Sequence, residues 1–229
     1  MKFSKYVLTM CVLSVLAMPG MAQIGIFDAS QDITDGSNLG ADGSAEFDDA
    51  TGTYSVTGSG NDIWGTADNF HFLYTEVSGD FVLEADVVAN AGTSTDEWVK
   101  AMLMARDELV ASSVNYGMLI RTDGLLNSQW RTTAGADSAS LDSALRVTIP
   151  ELTARLRIER SGDHFSSSYF DPATGNWVLY QEMDIVMADP IYVGLAVTAH
   201  QVGSLATGVF SDVELSAGSS STENWEVIK

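Results

Sequence analysis

The chain has 229 residues, 31 of them acidic and 11 of them Lys or Arg, and its formal charge is −20. A balance that negative argues against a nucleic-acid backbone or an anionic membrane as partner. The length suits one large β domain, and a single cysteine, Cys11, excludes a disulfide framework.

Residues 1–22 read as a signal peptide. Lys2 and Lys5 supply the positive start, Tyr6 to Leu16 the apolar run, and Gly20, Met21 and Ala22 the small residues at a cleavage position. Cleavage near Gln23 removes Cys11, and the remaining chain is expected to be exported to the periplasm or beyond without cysteine. No other apolar stretch approaches the roughly 20 residues of a membrane helix, so no membrane insertion is expected of the mature chain. Dropping Lys2 and Lys5 from the 11 basic residues leaves 9 against 31 acidic ones, or −22. Apart from Lys229, those nine fall in one central block from Lys100 to Arg160.

In chain order, Gln23 to Ala50 is acidic and rich in Gly and Ser, and its apolar pieces at Ile24–Phe27 and Ala45–Phe47 suggest an edge strand followed by loops. Thr53 to Thr57 is a short strand. Gly58, Gly60 and Gly65 surround Asp62-Ile63-Trp64 and imply tight backbone there. Phe70, Phe72 and Tyr74 share one face of the next strand and His71, Leu73 and Thr75 the other, so that strand is expected to be central. After the Ser78-Gly79-Asp80 turn, Phe81, Leu83, Ala85 and Val87 alternate with Val82, Glu84, Asp86 and Val88, the pattern of a half-buried antiparallel strand.

Trp98 to Arg106 alternates in the same way, with Val99, Ala101, Leu103 and Ala105 on the side suited to the space between two sheets. Asp107 to Ser113 is the best candidate for a helical turn. Further strands are expected at 115–121, 125–132, 152–160, 164–170, 177–183, 191–200 and 207–215, at intervals typical of a sandwich. The segments are then a signal peptide at 1–22, a β-sandwich at 23–216, and a linker and tail at 217–229 that end in an edge strand or a loose terminus.

Four stretches carry a family resemblance in their order: GSGNDIWGTADNFHFLYTEVSGDF from Gly58, WVKAMLMARD from Trp98, LRIERSGDHF from Leu156, and YVGLAVTAHQVGSLATGVFSDV from Tyr192. Together they resemble bacterial secreted domains of the concanavalin A-like lectin/glucanase (laminin-G-like) superfamily, nearest to the group similar to "regulation of enolase" proteins. The resemblance implies an all-β fold, a two-sheet antiparallel β-sandwich of the jelly-roll kind. It also implies a concave face or rim that binds saccharide or carries a glycosidase pair. The sequence departs from the pattern at Pro150 to Arg155.

Several chemistries find little support. Glycosidases on this fold set two or three carboxylates on one strand face, and Glu84-Ala85-Asp86 is the only close match, without a third acid. Serine catalysis lacks a Gly-x-Ser-x-Gly elbow, and His71, His164 and His200 are too scattered for a histidine metal site. No cofactor is expected. A structural calcium is weighed against a solvated acidic surface because Asp28, Asp32, Asp35, Asp42, Asp48 and Asp49 crowd the start of the domain.

The remaining constellation is Lys100, Arg106, Arg131 and Arg157 with Trp98, Gln129, Glu159, Thr198 and His200, placed on polar strand faces by even spacing. Sugar stacking on Trp, with hydrogen bonds from Arg, Gln and His, is how such a face would hold an oligosaccharide or polysaccharide, an acidic one suiting the basic block. The competing reading is that these cations pair with carboxylates within the sheet. Asp62, Trp64, Asp68 and His71 would rim the same face, or Trp64 would be core and Asp68 a turn cap. The leading expectation is an exported, non-catalytic carbohydrate-binding module. A glycoside hydrolase or polysaccharide lyase, and a structural or adhesive surface protein docking through an exposed edge, stand as alternatives.

Overall fold

The computed structural model describes residues 23–218 and the backbone of 225–228; the expected signal peptide at 1–22 lies outside the described residues. Among them run β1 (Ala29–Ile33), β2 (Ser44–Asp48), β3 (Thr53–Gly58), β4 (Phe70–Val77) and β5 (Asp80–Asn90). Next come β6 (Lys100–Arg106), β7 (Asn115–Arg121), β8 (Leu126–Arg131), β9 (Ala139–Ser140) and β10 (Ala154–Ser161). Last are β11 (His164–Asp171), β12 (Asn176–Asp184), β13 (Ile191–Thr198), β14 (Ala206–Gly218) and β15 (Trp225–Ile228). Among the described residues, no helix is long and apolar enough to cross a membrane.

The strands form two antiparallel sheets. One has seven strands in the order β1-β4-β13-β6-β7-β8-β9; the other has eight, β12-β11-β10-β5-β14-β3-β2 with β15 also on β14. β15 pairs with the end of β14 from Leu215↔Ile228 to Gly218↔Trp225, so of the two endings weighed for the tail it is the edge strand. A bulge in β14 sets two residues against Ala85, and Asp212 within it takes φ 47°.

The period-2 pattern places the core. Phe81, Leu83, Ala85, Val87 and Ala89 of β5 are buried, as are Val99, Ala101, Leu103 and Ala105 in and before β6, and all belong to one cluster between the sheets. Each large apolar side chain so buried contributes about 1.5–3 kcal/mol. Tyr116 of β7 spans the gap, its hydroxyl 3.0 Å from both Ser167 Oγ and Gln181 O on the opposite sheet. Burial pushes its phenol up to about 12.

A second apolar cluster covers the outer face of the seven-stranded sheet. Phe70, Phe72 and Tyr74 of β4, Met102 and Met104 of β6, Leu119 of β7 and Ala196 of β13 meet Ile63 and Ala111 from two covering loops. This corrects two expectations. β4 is buried on both faces because loops roof it, although it lies next to the edge strand β1. The middle of that outer face is apolar, with its polar groups divided between the two ends.

Three further differences have local causes. Ile24 and Phe27 close a tight turn through paired backbone hydrogen bonds, and the edge strand begins at Ala29. Asp107–Ser113 contains no helix, whereas a 3-10 turn occurs at Ser143–Leu145 under an Asp142 cap. Trp98 precedes β6 because Asp96 Oδ1 accepts the Trp98 N–H at 2.8 Å and bends the chain there.

Candidate functional site

β6 carries a basic residue at each end, and their six-residue separation spans about 20 Å of strand. Arg106 and Lys100 therefore serve different places. At the Arg106 end the polar groups are sealed. Asp68 and Arg131 are both 0% exposed and meet through Nη2–Oδ1 at 2.6 Å and Nη1–Oδ2 at 3.0 Å. Arg106 Nη1 reaches Asp68 Oδ2 at 3.4 Å, and Asn115 Nδ2 donates to the same oxygen at 3.3 Å. Arg131 also donates to the carbonyls of Gly65, Ala136, Ala111 and Ser113, so it ties three loops together. Burial lowers Arg106 to about 10 despite Asp68. Asp68, Arg106 and Arg131, expected at a ligand face, instead form an internal ionic hub, and Asp68 is neither a rim residue nor a turn cap.

The open cavity lies at the Lys100 end. It encloses about 260 Å³ and is lined by Asp62, Trp64, Trp98, Lys100, Gln129, Ser140, Arg146 and His200. The Gly58–Asn69 loop delivers Asp62 and Trp64, and its tightness has a cause in Gly60: φ is 112°, and a Cβ there would stand 2.1 Å from Asn69 O. Lys100, 1% exposed, donates to Asp62 Oδ1 at 2.6 Å and to Ile63 O and Gln129 Oε1 at 3.2 Å, which occupies its three protons.

His200 follows β13 in the left-handed region, φ 52°, a conformation uncommon outside glycine. Its ring lies between two carboxylates, with Nε2 3.0 Å from Asp62 Oδ2 and Nδ1 3.0 Å from Asp96 Oδ1. The Asp62 hydrogen bond raises the His200 pKa against the opposing effect of burial, with Asp96 adding to the rise. Burial alone would raise Asp62, but the His200 hydrogen bond and the Lys100 charge hold it below the ordinary carboxylate value. Burial lowers Lys100, and Asp62 opposes that shift. Asp96, His200, Asp62 and Lys100 thus form a chain of alternating charge when the imidazole is protonated.

Two tryptophans complete the cavity. Trp98 has the Arg121 guanidinium 4.0 Å from its ring centroid and Arg146 at 5.7 Å. Arg121 is itself paired with Asp123. Trp64 is 39% exposed, with Lys100 Nζ 5.7 Å from its ring centroid. Aromatic faces beside fixed polar groups suit a ligand with one apolar and one hydrogen-bonding side.

Of the ten residues expected at the site, Trp64, Trp98, Lys100, Gln129 and His200 line this cavity. His71 does not. It lies on the inner side of β4, where Nδ1 meets Asp32 Oδ1 at 2.8 Å, and burial lowers its pKa. Arg157 belongs to the other sheet, on β10, with Nε 2.7 Å from Glu84 Oε1 and its guanidinium 3.9 Å from the Trp177 ring centroid. Even spacing orders residues within a strand but does not say which sheet holds the strand. Sequence reasoning missed Ser140, Arg146 and Asp96. Arg146 belonged to the basic block, but no strand pattern singled it out.

Four of the six crowded acids near the start of the domain have separate partners. Asp28 accepts from Thr75, Asp32 from His71 and Gly43, Asp35 from Ser37, and Asp48 from Ala50 and Thr51. Among the described residues no group of three or more His, Cys, Asp or Glu side chains is arranged to hold a metal ion.

No protein-family model and no curated protein sequence matches the chain. Among solved structures, a functionally unknown protein from Saccharomyces cerevisiae superposes with a TM-score of 0.57 at 19% identity, over 80% of this chain and 100% of that one. A family 7 alginate lyase in complex with substrate superposes with a TM-score of 0.52 at 9% identity, over 79% of this chain and 83% of that one. At these identities the likeness is one of fold: a two-sheet antiparallel jelly-roll sandwich.

Proposed function

We propose that this chain is an exported, non-catalytic carbohydrate-binding module and that the cavity lined by Trp64 and Trp98 receives the sugar. The observation that carries the reading is the pairing of two partly exposed tryptophans with a rigid polar floor, Lys100 and Gln129, in one cavity of about 260 Å³. Cavities for drug-sized ligands run from about 300 to 1,000 Å³, so this one fits a single sugar unit or a chain end better than a long stretch of polymer. A ring stacked on indole leaves its polar edge for the Gln129 amide N–H, since Lys100 already has three acceptors. The fold is compatible with carbohydrate binding. The finer kinship with the group similar to "regulation of enolase" proteins rests on the sequence motifs alone.

The test is retention on a panel of immobilised polysaccharides, with Trp64→Ala and Trp98→Ala as the diagnostic variants. Retention by the wild type that both variants weaken supports the proposal; no retention of any glycan sinks it.

A second reading, a polysaccharide lyase or glycoside hydrolase, draws on the Asp96–His200–Asp62–Lys100 chain at the cavity edge. Glu84, the carboxylate the sequence offered for hydrolysis, sits on the other sheet with Arg155 and Arg157 on it. Release of reducing ends or unsaturated uronate ends from polysaccharide, abolished by His200→Gln, would establish catalysis and displace the non-catalytic reading.

A further inference from the structure

Resting on the saccharide reading above, the hydrogen-bond inventory of the cavity names a class of sugar. The carboxylate, amide and hydroxyl oxygens of the lining side chains each already receive a bond, and both ring nitrogens of His200 face carboxylates. Asp62 takes Lys100, His200 and the Ile63 N–H; Gln129 Oε1 takes Lys100; Ser140 Oγ takes Arg146. The donors are less fully used. Arg146 sends Nη2 to Ser140 Oγ at 3.1 Å and Nε to Leu141 O at 3.4 Å, which leaves Nη1 without a partner among the described residues. The Gln129 amide accepts through Oε1 while its Nε2 has no acceptor among the described residues. A neutral hydroxyl brings both a donor and an acceptor, whereas a carboxylate or sulfate oxygen brings acceptors alone. The unmatched groups call for the second kind.

Charge points the same way. Arg106 and Arg131 are held by Asp68, Arg121 by Asp123, Arg155 and Arg157 by Glu84, and Lys100 by Asp62. Arg160 spends its guanidinium on the carbonyls of Gly162, Met187 and Ala188, on the eight-stranded sheet. Among the described residues, Arg146 is the arginine that lines this cavity with no carboxylate in ion-pairing range. In a chain of 31 acidic residues, a cation left unpaired at the edge of an aromatic cavity is a local exception to a surface that repels anions.

We infer that the cavity is an oxyanion subsite, in which Arg146, aided by the Gln129 amide, receives the carboxylate or sulfate group of an acidic sugar lying against Trp98. The guanidinium supplies charge-assisted bonds to either group. Its bonds to Asp62, Ile63 and Gln129 keep Lys100 from competing for the anion.

A glycan array of uronate-containing, sulfated and neutral polysaccharides tests this, using the full chain and its Arg146→Gln and Arg146→Glu variants. Acidic glycans should be retained over neutral ones, with affinity falling about tenfold in Arg146→Gln and further in Arg146→Glu. Both variants should keep the wild-type circular dichroism spectrum and thermal transition. Retention of the uronate class alone assigns a carboxylate, of the sulfated class alone a sulfate ester, and of both an oxyanion without finer choice. Neutral glycans held as tightly as acidic ones, or binding untouched in both variants, overturns the subsite and leaves the saccharide reading standing. No retention of any glycan overturns both.

Discussion

Arg131 grips Asp68 through two N–H···O bonds of 2.6 and 3.0 Å with neither side chain reaching solvent. Removing one partner strands the other as a buried charge, which costs about 3–5 kcal/mol. Arg131→Ala and Asp68→Asn should therefore lower the urea unfolding midpoint sharply, contrary to what an exposed ligand-binding arginine would do. A midpoint close to wild type in both variants would show that the hub does not hold the three loops together.

The two tryptophans should separate binding from stability. Trp64 is 39% exposed, so Trp64→Ala should reduce glycan retention and leave the thermal transition near wild type. Trp98 stacks with Arg121 at 4.0 Å, so Trp98→Ala should reduce retention and also cost stability, by about 1 kcal/mol. Thermal melts alongside affinity electrophoresis distinguish the two patterns.

His200 and His71 should contribute oppositely to the pH dependence of stability. The Asp62 hydrogen bond and the nearby Asp96 raise His200, and Lys100 faces it through Asp62. Its contribution is then full below the ordinary histidine value of 6.5 and lost as pH rises through the raised value. Burial lowers His71, whose facing carboxylate is Asp32, so its neutral form is favoured and stability falls as pH drops below 6.5 toward the lowered value. Urea melts of His200→Gln and His71→Gln between about pH 5 and about pH 9 should show the wild-type advantage of His200 shrinking toward alkaline pH. The acid-side loss should be relieved in His71→Gln.

The eight-stranded sheet should be silent in binding. Arg157→Ala removes a guanidinium that pairs with Glu84 and stacks on Trp177, so a modest stability loss of about 0.5–1 kcal/mol is expected. Glycan retention should be unchanged in this variant and in Glu84→Gln. Loss of retention in either would move the site to the other sheet.

Much of the fold was legible because alternation is local. Phe81 to Val88 and Val99 to Ala105 declared their inner faces by period 2, and the structure buries those faces between the sheets. Phe70, Phe72 and Tyr74 were harder, because their burial depends on Ile63 and Ala111 arriving from loops on either side. At the site, Trp64, Trp98, Lys100, Gln129 and His200 were legible as residue types suited to sugar binding. Arg106, Arg131 and Arg157 look the same in sequence but have Asp68 or Glu84 as partners.

The amino-acid sequence alone determined the strand-rich pattern, the inner face of most strands and the concentration of basic residues between Lys100 and Arg160. Only the tertiary structure decided which of those cations are paired internally and that Arg146 lines the cavity without a carboxylate in range. The reason is range. A side-chain face repeats every second residue, but Asp62 meets Lys100 across 38 positions and His200 across 138, and pairings that distant are set by sheet order.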